Sequence, residues 1–417
     1  MDEVVIDAID RDGWGLTDPA DAKHAAQNIA RSDKPPRGCA RYCRAMRLSL
    51  SFGAATLVVA VLQPVHGAGG PSTAATPLAR ALFAAAPDSK QRNTLDLFGQ
   101  FVGNWQVDVA NHLPDGRIQS VKGEWHFGWI LDGTAIQDVW MAPTRAQLDA
   151  GEPLLGYGTT LRLYDAKIDA WRVLWASASS RNFIVFTARQ RGSEIVMEAD
   201  DAQPAVRWIF SDVGAQSFRW RAVQSKDGWN TSTVQQEMTA TRIDDRDRLA
   251  DALLAPECAR GFESENALFG QLAGDWTIGW EGFRRDGTIL ETVGTLHIGW
   301  VLGGRVVQDV WRFRNPTSGK FAAGTTIRLY DPSISAWHSI WFYPTASLIQ
   351  AFVARASKGD IVLEGATPTG DPEQWIFSKL TPTSFDWRAI ESKDRRSTWH
   401  VTEHMRIQRT SSTTESR

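Results

Sequence analysis

The sequence predicts an all-β protein made of two tandem antiparallel up-and-down β-barrels, each preceded by a short helix. Three observations carry that prediction. The phrase GWILDGTAIQDVW at 128–140 returns as GWVLGGRVVQDVW at 299–311. Seven tryptophan pairs recur across the two halves at a nearly constant spacing. Between them, short runs alternate polar and apolar residues and are punctuated by Gly, Asp, Ser or Pro, with no long amphipathic helix.

A chain of 417 residues exceeds the size at which one hydrophobic core keeps growing, so two domains are expected. Hydrophobic residues at 43% and charged residues at 22% are ordinary for a folded protein. A net charge of −3 and the lack of a long basic run exclude nucleic acid as an expected partner. The unusual figure is 19 Trp against 5 Tyr, which suggests large rings filling a wide interior or lining a pocket.

Residues 46–67 read as an export signal. Met46 and Arg47 precede the apolar run LSLSFGAATLVVAVL, and the small residues Val65 and Gly67 place a cut before Ala68. A periplasmic or secreted protein with no stable membrane insertion after signal removal is expected, with an uncleaved anchor as the alternative. Residues 1–45 then form a gene-start extension, because Met46 is itself a normal start. Cys39 and Cys43 fall in that extension, which leaves Cys258 alone in the mature chain and no intrachain disulfide.

The repeat defines two modules, 78–243 and 267–410, joined by 244–266, with a disordered tail at 411–417. The lead-in LARALFA at 78–84 resembles LADALLA at 249–255, a short helical pattern before each module. LFGQFVGNW at 97–105 becomes LFGQLAGDW at 268–276, and the 171-residue offset of Trp105 and Trp276 holds through Trp129/Trp300 and Trp140/Trp311. A loop then shortens by five residues, and GTTLRLYD at 158–165 pairs with GTTIRLYD at 324–331. Trp171/Trp337, Trp175/Trp341, Trp208/Trp375 and Trp220/Trp387 follow. A repeat this long is a complete domain and not a solenoid brick. Within it, TLRLYDAKIDAWRVLW reads as a hairpin, and the later runs bring the total to eight to ten strands per module. The charge-rich link is expected to be a short helix with flexible ends that lets the halves move.

The GNW or GDW that opens each module after a short helix resembles the glycine-tryptophan signature at the first strand of lipocalin-like (calycin) barrels. With GWILDGTAIQDVW, LRLYD, the paired Trp171 and Trp175, and the closing Glu237 and Arg242, the pattern resembles an uncharacterised bacterial family of such domains, present here as a tandem duplication. The resemblance implies a barrel with an apolar interior and transfers no activity. It departs at Gly303, where the first module has Asp132, and at His404, where it has Glu237, so the halves are expected to differ in what they bind.

Trp105 and Trp276 are expected to close the barrel floors. Trp129, Trp140, Trp171 and Trp175, with Trp300, Trp311, Trp337 and Trp341, are candidate ligand-lining rings, although buried aromatics are commonly plain core. Recurring polar strand residues are Gln137/Gln308, Asp138/Asp309, Arg162/Arg328, Arg189/Arg355, Glu198/Glu364 and Arg221/Arg388. They allow two readings: structural ion pairs, or a site in which Arg162 and Arg328 anchor a ligand carboxylate or carbonyl with Gln137 and Gln308 as nearby donors. Strand alternation does not say which face points inward. His126 and His297 alternate with apolar neighbours and are expected on the outer, solvated face. His404 occupies the last strand, where barrels of the nitrobindin type carry a haem ligand; haem is the alternative to no cofactor. No phosphate loop, H-E-x-x-H, metal spacing or nucleophile elbow occurs.

The leading expectation is a barrel that binds or carries a small apolar or amphipathic molecule. Its rivals are a cofactor-free cyclase, isomerase or hydratase acting on an enclosed lipid-like substrate, and an interaction module of solid barrels. Arg162→Ala separates them: a binder loses affinity, an enzyme turnover, and a solid barrel stability.

Overall fold

A computed structural model describes residues 76–244 and 248–410. The expected gene-start extension and export signal, Cys39, Cys43 and the expected 411–417 tail lie outside those residues.

In the first half, ten strands form one closed barrel. They are β2 (Gly103–His112), β3 (Ile118–Ile130), β4 (Ala135–Ala142), β5 (Gly156–Asp165), β6 (Ala170–Ser177), β7 (Asn182–Arg191), β8 (Glu194–Ala199), β9 (Ala205–Ser211), β10 (Ser217–Ser225) and β11 (Thr233–Asp244). Each pairs antiparallel with its sequence neighbours and β11 returns to β2, which removes the open edges that a flat sheet would expose. The second half repeats this order in β13 (Gly274–Phe283), β14 (Ile289–Val301), β15 (Val306–Arg314), β16 (Phe321–Asp331), β17 (Ala336–Tyr343), β18 (Leu348–Ser357), β19 (Asp360–Ala366), β20 (Pro372–Ser378), β21 (Ser384–Glu391) and β22 (His400–Arg409). The five-residue surplus of the first half falls in the β4–β5 connection, which carries a one-turn helix, α3 (Arg145–Asp149), capped reciprocally by Thr144 and Gln147.

One end of each barrel is a closed floor. Helices α2 (Arg92–Gly99) and α5 (Glu263–Gly270) lie across it, and Trp105 or Trp276 at the start of the next strand donates its indole N–H to Phe101 O or Leu272 O. The guanidinium of Arg242 sits 4.1 Å above the Trp105 ring and donates to Val102, Gln100 and Ala215 carbonyls. Arg409 repeats the arrangement over Trp276. Carbonyls left over at the floor are thus satisfied by an arginine whose flat face also covers an indole.

The repeated GTT motif has a local cause. Trp175 and Trp341 lie across Gly158 and Gly324 so closely that a Cβ there would meet ring carbons at 2.4 and 2.2 Å. Only glycine leaves room for those rings.

The two barrels share a core, and their contacts are reciprocal. Helix α1 (Pro77–Leu82) leads into the first barrel through β1 (Phe83–Ala84), which pairs with β3, yet it packs on β14 and β15 of the second. Helix α4 (Leu249–Leu253), followed by β12 (Leu254–Ala255) on β14, packs on β3 and β4 of the first. Gly299 lies under Leu78 and Gly128 under Leu249, so each helix seats in a groove where a Cβ would collide. Between the helices, Leu82, Val139, Leu161 and Leu174 of one half meet Leu253, Val310, Ile327 and Ile340 of the other in one buried cluster. At its centre Gln137 and Gln308, fully buried, exchange two amide hydrogen bonds of 3.1 Å. This is an isologous contact made within one chain. The short helix expected within 244–266 is α4, and it is wedged between the barrels because four of its five residues are buried apolar side chains.

The β10–β11 and β21–β22 turns are built alike. Asp227 accepts from Thr231 N and Oγ1, and Asp394 from Thr398 N and Oγ1, which holds both exposed carboxyls down at about 2. A carboxyl lowered by folding adds stability that is complete above its unfolded value near 3.8 and is lost as pH falls through about 2. NMR titration of the two carboxyl carbons is expected to give midpoints about 2; midpoints in the ordinary carboxylate range would contradict these turns.

Candidate functional site

Alternation along each strand decides which repeated residues enter the barrels. On β3 and β4, Trp125, Phe127, Trp129, Ile136, Asp138 and Trp140 point inward, while Gln137, Val139 and Met141 point toward the other barrel. Gln137 and Gln308 therefore lie outside both interiors. Each donates to a threonine, Thr159 or Thr325, at 3.0 Å as well as to its counterpart. The expectation that they would serve a ligand beside Arg162 and Arg328 is replaced by a role in joining the halves.

Asp138 and Arg162 face each other inside the first barrel, both essentially without solvent contact, and Asp309 and Arg328 do so in the second. Each aspartate also accepts from a backbone N–H, that of Thr160 or Thr326. The Arg162 guanidinium lies 5.1 Å from the Phe98 centroid and 5.3 Å from Phe127. Arg328 lies 4.8 Å from Phe269 and 5.8 Å from Phe377. Burial pushes both carboxyls up, against the pull of the arginine beside each. The geometry is that of an enclosed ion pair with aromatic walls, and its partners are used on each other. Arg162 and Arg328 are thus placed as counter-ions of Asp138 and Asp309.

The remaining candidates divide by barrel end. Trp129 and Trp300 lie against Gly99 and Gly270 of the floor helices, and Trp171 and Trp337 meet Phe98 and Phe269 edge-on. Trp175 and Trp341 sit at the opposite end, the mouth. Arg189 and Arg355 are exposed and donate to the carbonyls of Ile168 and Ile334. Glu198 pairs with Arg191 and Arg207, Arg221 with Glu194, Glu364 with Arg396, and Arg388 donates to Ser378, all away from the interior. His126 corrects the solvated-surface expectation: it does face outward but is buried, with Nδ1 on Asn104 and Nε2 on Glu124, because Asn104 is also tied to Asp244. His297 keeps an Asp275 partner at 2.8 Å. His404 lies on the outer face of β22, 3.1 Å from Glu281 and 3.6 Å from Asp386, while its neighbours Met405 and Ile407 point inward.

The mouth of the second barrel is an open aromatic cup with a cavity volume of about 70 Å³. Five tryptophans, Trp280, Trp311, Trp341, Trp375 and Trp387, form most of its wall. Phe313, Tyr343, Leu348 and Met405 complete the apolar lining, and Glu403 is its charged member. Trp280 donates to Glu403 at 3.0 Å, and Trp375 to the buried Glu373 at 2.8 Å. Glu373 also accepts from Gln350, whose side-chain oxygen has no hydrogen-bond partner; the indole N–H of Trp387 has none either.

The first barrel packs aromatic rings at positions where the second has aliphatic side chains. Trp125 packs on Phe127 at 5.0 Å and on Phe210 at 5.7 Å, and meets Trp220 edge-on at 6.3 Å. The second barrel has Leu296 in place of Trp125, Ile298 in place of Phe127 and Leu272 in place of Phe101. At the mouth the trade reverses: Trp280, Phe313 and Tyr343 stand where the first barrel has Val109, Ala142 and Ser177. A shallower floor filling below a ring of added aromatics makes the cup. A larger polar depression outside the first barrel holds charges already spent on one another, with Arg221 2.8 Å from Glu194, His112 2.9 Å from Glu237 and Lys122 2.9 Å from Asp108.

Several solved structures are similar to this chain. The S-type phycobiliprotein lyase CPES from Guillardia theta matches 36% of this chain over 93% of its own, with 10% identity and a TM-score of 0.27. Rv2717c from M. tuberculosis matches 38% over 99% of its own length, with 14% identity and a TM-score of 0.27. A protein with unknown function from the DUF3598 family of Nostoc punctiforme covers 76% of this chain and 99% of its own, with 10% identity and a TM-score of 0.25. At these scores the fold rests on the strand order of this chain. No family model matches the sequence, and no curated protein matches it.

Proposed function

We propose that the protein is an exported binder or carrier of one small apolar or amphipathic molecule, held in the mouth of the second barrel, with the first barrel as its filled partner. The observation that carries this reading is the open cup walled by five tryptophans in one barrel, against the close-packed rings of the other. Its cavity volume of about 70 Å³ is smaller than the ~300–1,000 Å³ usual for ligand pockets, so a ligand would sit in the open mouth with only part of its body enclosed; the wall is mainly apolar with a few polar groups, as such sites require. The signal-like segment at 46–67 supports delivery outside the cytoplasm.

The duplication supplies its own control. N-phenyl-1-naphthylamine, a neutral probe that brightens in apolar surroundings, is expected to bind once per chain. Trp341→Ala should weaken that binding at least about tenfold, whereas Trp175→Ala, the same truncation in the other barrel, should leave it nearly unchanged. Circular dichroism on each variant checks that both barrels persist. Two sites per chain, or equal loss from both variants, would overturn the assignment.

A further inference from the structure

Three positions on the inward side of the second barrel's mouth bear on the kind of molecule the cup takes. Glu373 faces Glu391 across β20 and β21, and Glu403 faces Ala389 across β21 and β22. The same ladder positions of the first barrel hold Val206, Gln224 and Gln236, none of which is charged. All three are carboxylates in the barrel that has the cup. Among the residues that line the cup there is no Lys, Arg or His. The nearby ammonium of Lys393 stands 3.6 Å from Glu391 and is held at 2.5 Å by a further acid, Asp371.

The aromatic wall has matching polarity. An indole face is the best π-surface for a cation, and several faces around one space multiply the effect. Here Trp280 and Trp375 give their N–H groups to Glu403 and Glu373. A carboxylate at the N–H edge pushes electron density into the ring and makes its face more attractive to positive charge. The side-chain oxygen of Gln350, buried and without a hydrogen-bond partner, adds an acceptor on the same inward side. An anionic headgroup placed there would meet carboxylates and ring faces together, both repulsive to it.

Resting on the binding site proposed above, we infer that its ligand is an organic cation: an apolar body seated among the indoles and a quaternary or protonated nitrogen held at the Glu373–Glu403 side. Burial of the body supplies the hydrophobic part of affinity, and the rings with the carboxylates supply the selection for charge.

The test uses two probes of one shape, (1-naphthylmethyl)trimethylammonium and its uncharged carbon isostere, titrated into the full chain by quenching of tryptophan fluorescence. The cation should bind at least about tenfold tighter than the isostere, a difference of about 1.4 kcal/mol. Glu403→Gln and Glu373→Gln should each reduce that preference severalfold, with thermal melting as the check on folding. Equal binding of the two probes, or full preference in both variants, would overturn the cation assignment. If neither probe bound but N-phenyl-1-naphthylamine did, the cup would stand as a neutral-ligand site and this inference would fall alone. If no probe bound, the binding reading would fall with it.

Discussion

Arg162→Ala and Arg328→Ala are each expected to lower stability by about 3–5 kcal/mol, measured by urea denaturation, because each leaves an aspartate inside a barrel without its counter-ion. The size follows from burial: Arg162 and Arg328 are 1% and 2% exposed and their partners are not exposed at all. The floor helices set Phe98 and Phe269 over the guanidinium groups, so water has no short path to the orphaned carboxylates. Replacing both members, as in Asp138→Leu with Arg162→Met, should recover most of the loss, since an apolar pair of similar volume avoids the desolvation cost. A ligand-anchoring arginine would behave differently. Its removal would cut affinity while the protein stayed nearly as stable, and that result would return Arg162 or Arg328 to the binding site.

Residues 76–244 produced alone are expected to be a homodimer or an aggregate, and not a stable monomer. Their lead-in helix α1 has its seat on β14 and β15, so in isolation Leu78 and Leu82 lose their partners. The outward residues Val139, Leu161, Leu163 and Leu174 would form a bare apolar face, and Gln137 would lose its buried amide partner. Exposed patches of that kind drive association. Because the contact between the halves is reciprocal, a second copy of the same half offers nearly the same surface, including a Gln137 to meet Gln137. Light scattering behind size exclusion reads the outcome. A monodisperse monomer with a sharp melting transition of its own would contradict the shared core.

The sequence carried the strand-level architecture in plain view, because barrels write themselves as alternation and a duplicated barrel writes that alternation twice. Trp105 and Arg242, Gly158 and Trp175, and Asp138 and Arg162 recur because each pair is one local packing solution needed in both halves. The interface was harder to read. Gln137 looks like a strand polar residue beside Asp138, and only closure of the barrel tells that one faces in and the other faces the second barrel. The lead-in helices mislead for a related reason: sequence adjacency puts α1 with the first barrel, whereas packing puts it on the second.

The cup was illegible for an opposite reason. Recurrence was the guide to candidate residues, and Trp280, Phe313, Tyr343, Glu373 and Glu403 do not recur. The signal available was the difference between the modules: Val109 to Trp280, Ala142 to Phe313, Ser177 to Tyr343, Val206 to Glu373. After duplication, shared residues report the fold that both copies must keep, and residues changed together at one barrel end report what one copy alone does. Trp311, Trp341, Trp375 and Trp387 belong to the recurring set and still line the cup, so recurrence pointed to part of its wall and missed what distinguishes it.

One container beside one filled barrel is the claim on which the rest depends, and native mass spectrometry counts containers directly. The full chain would be purified without detergent and challenged with the naphthylmethyl ammonium probe. A single adduct per chain, abolished by Trp341→Ala and retained by Trp175→Ala, is the predicted spectrum. Two adducts per chain, or one that survives Trp341→Ala and disappears with Trp175→Ala, would contradict it.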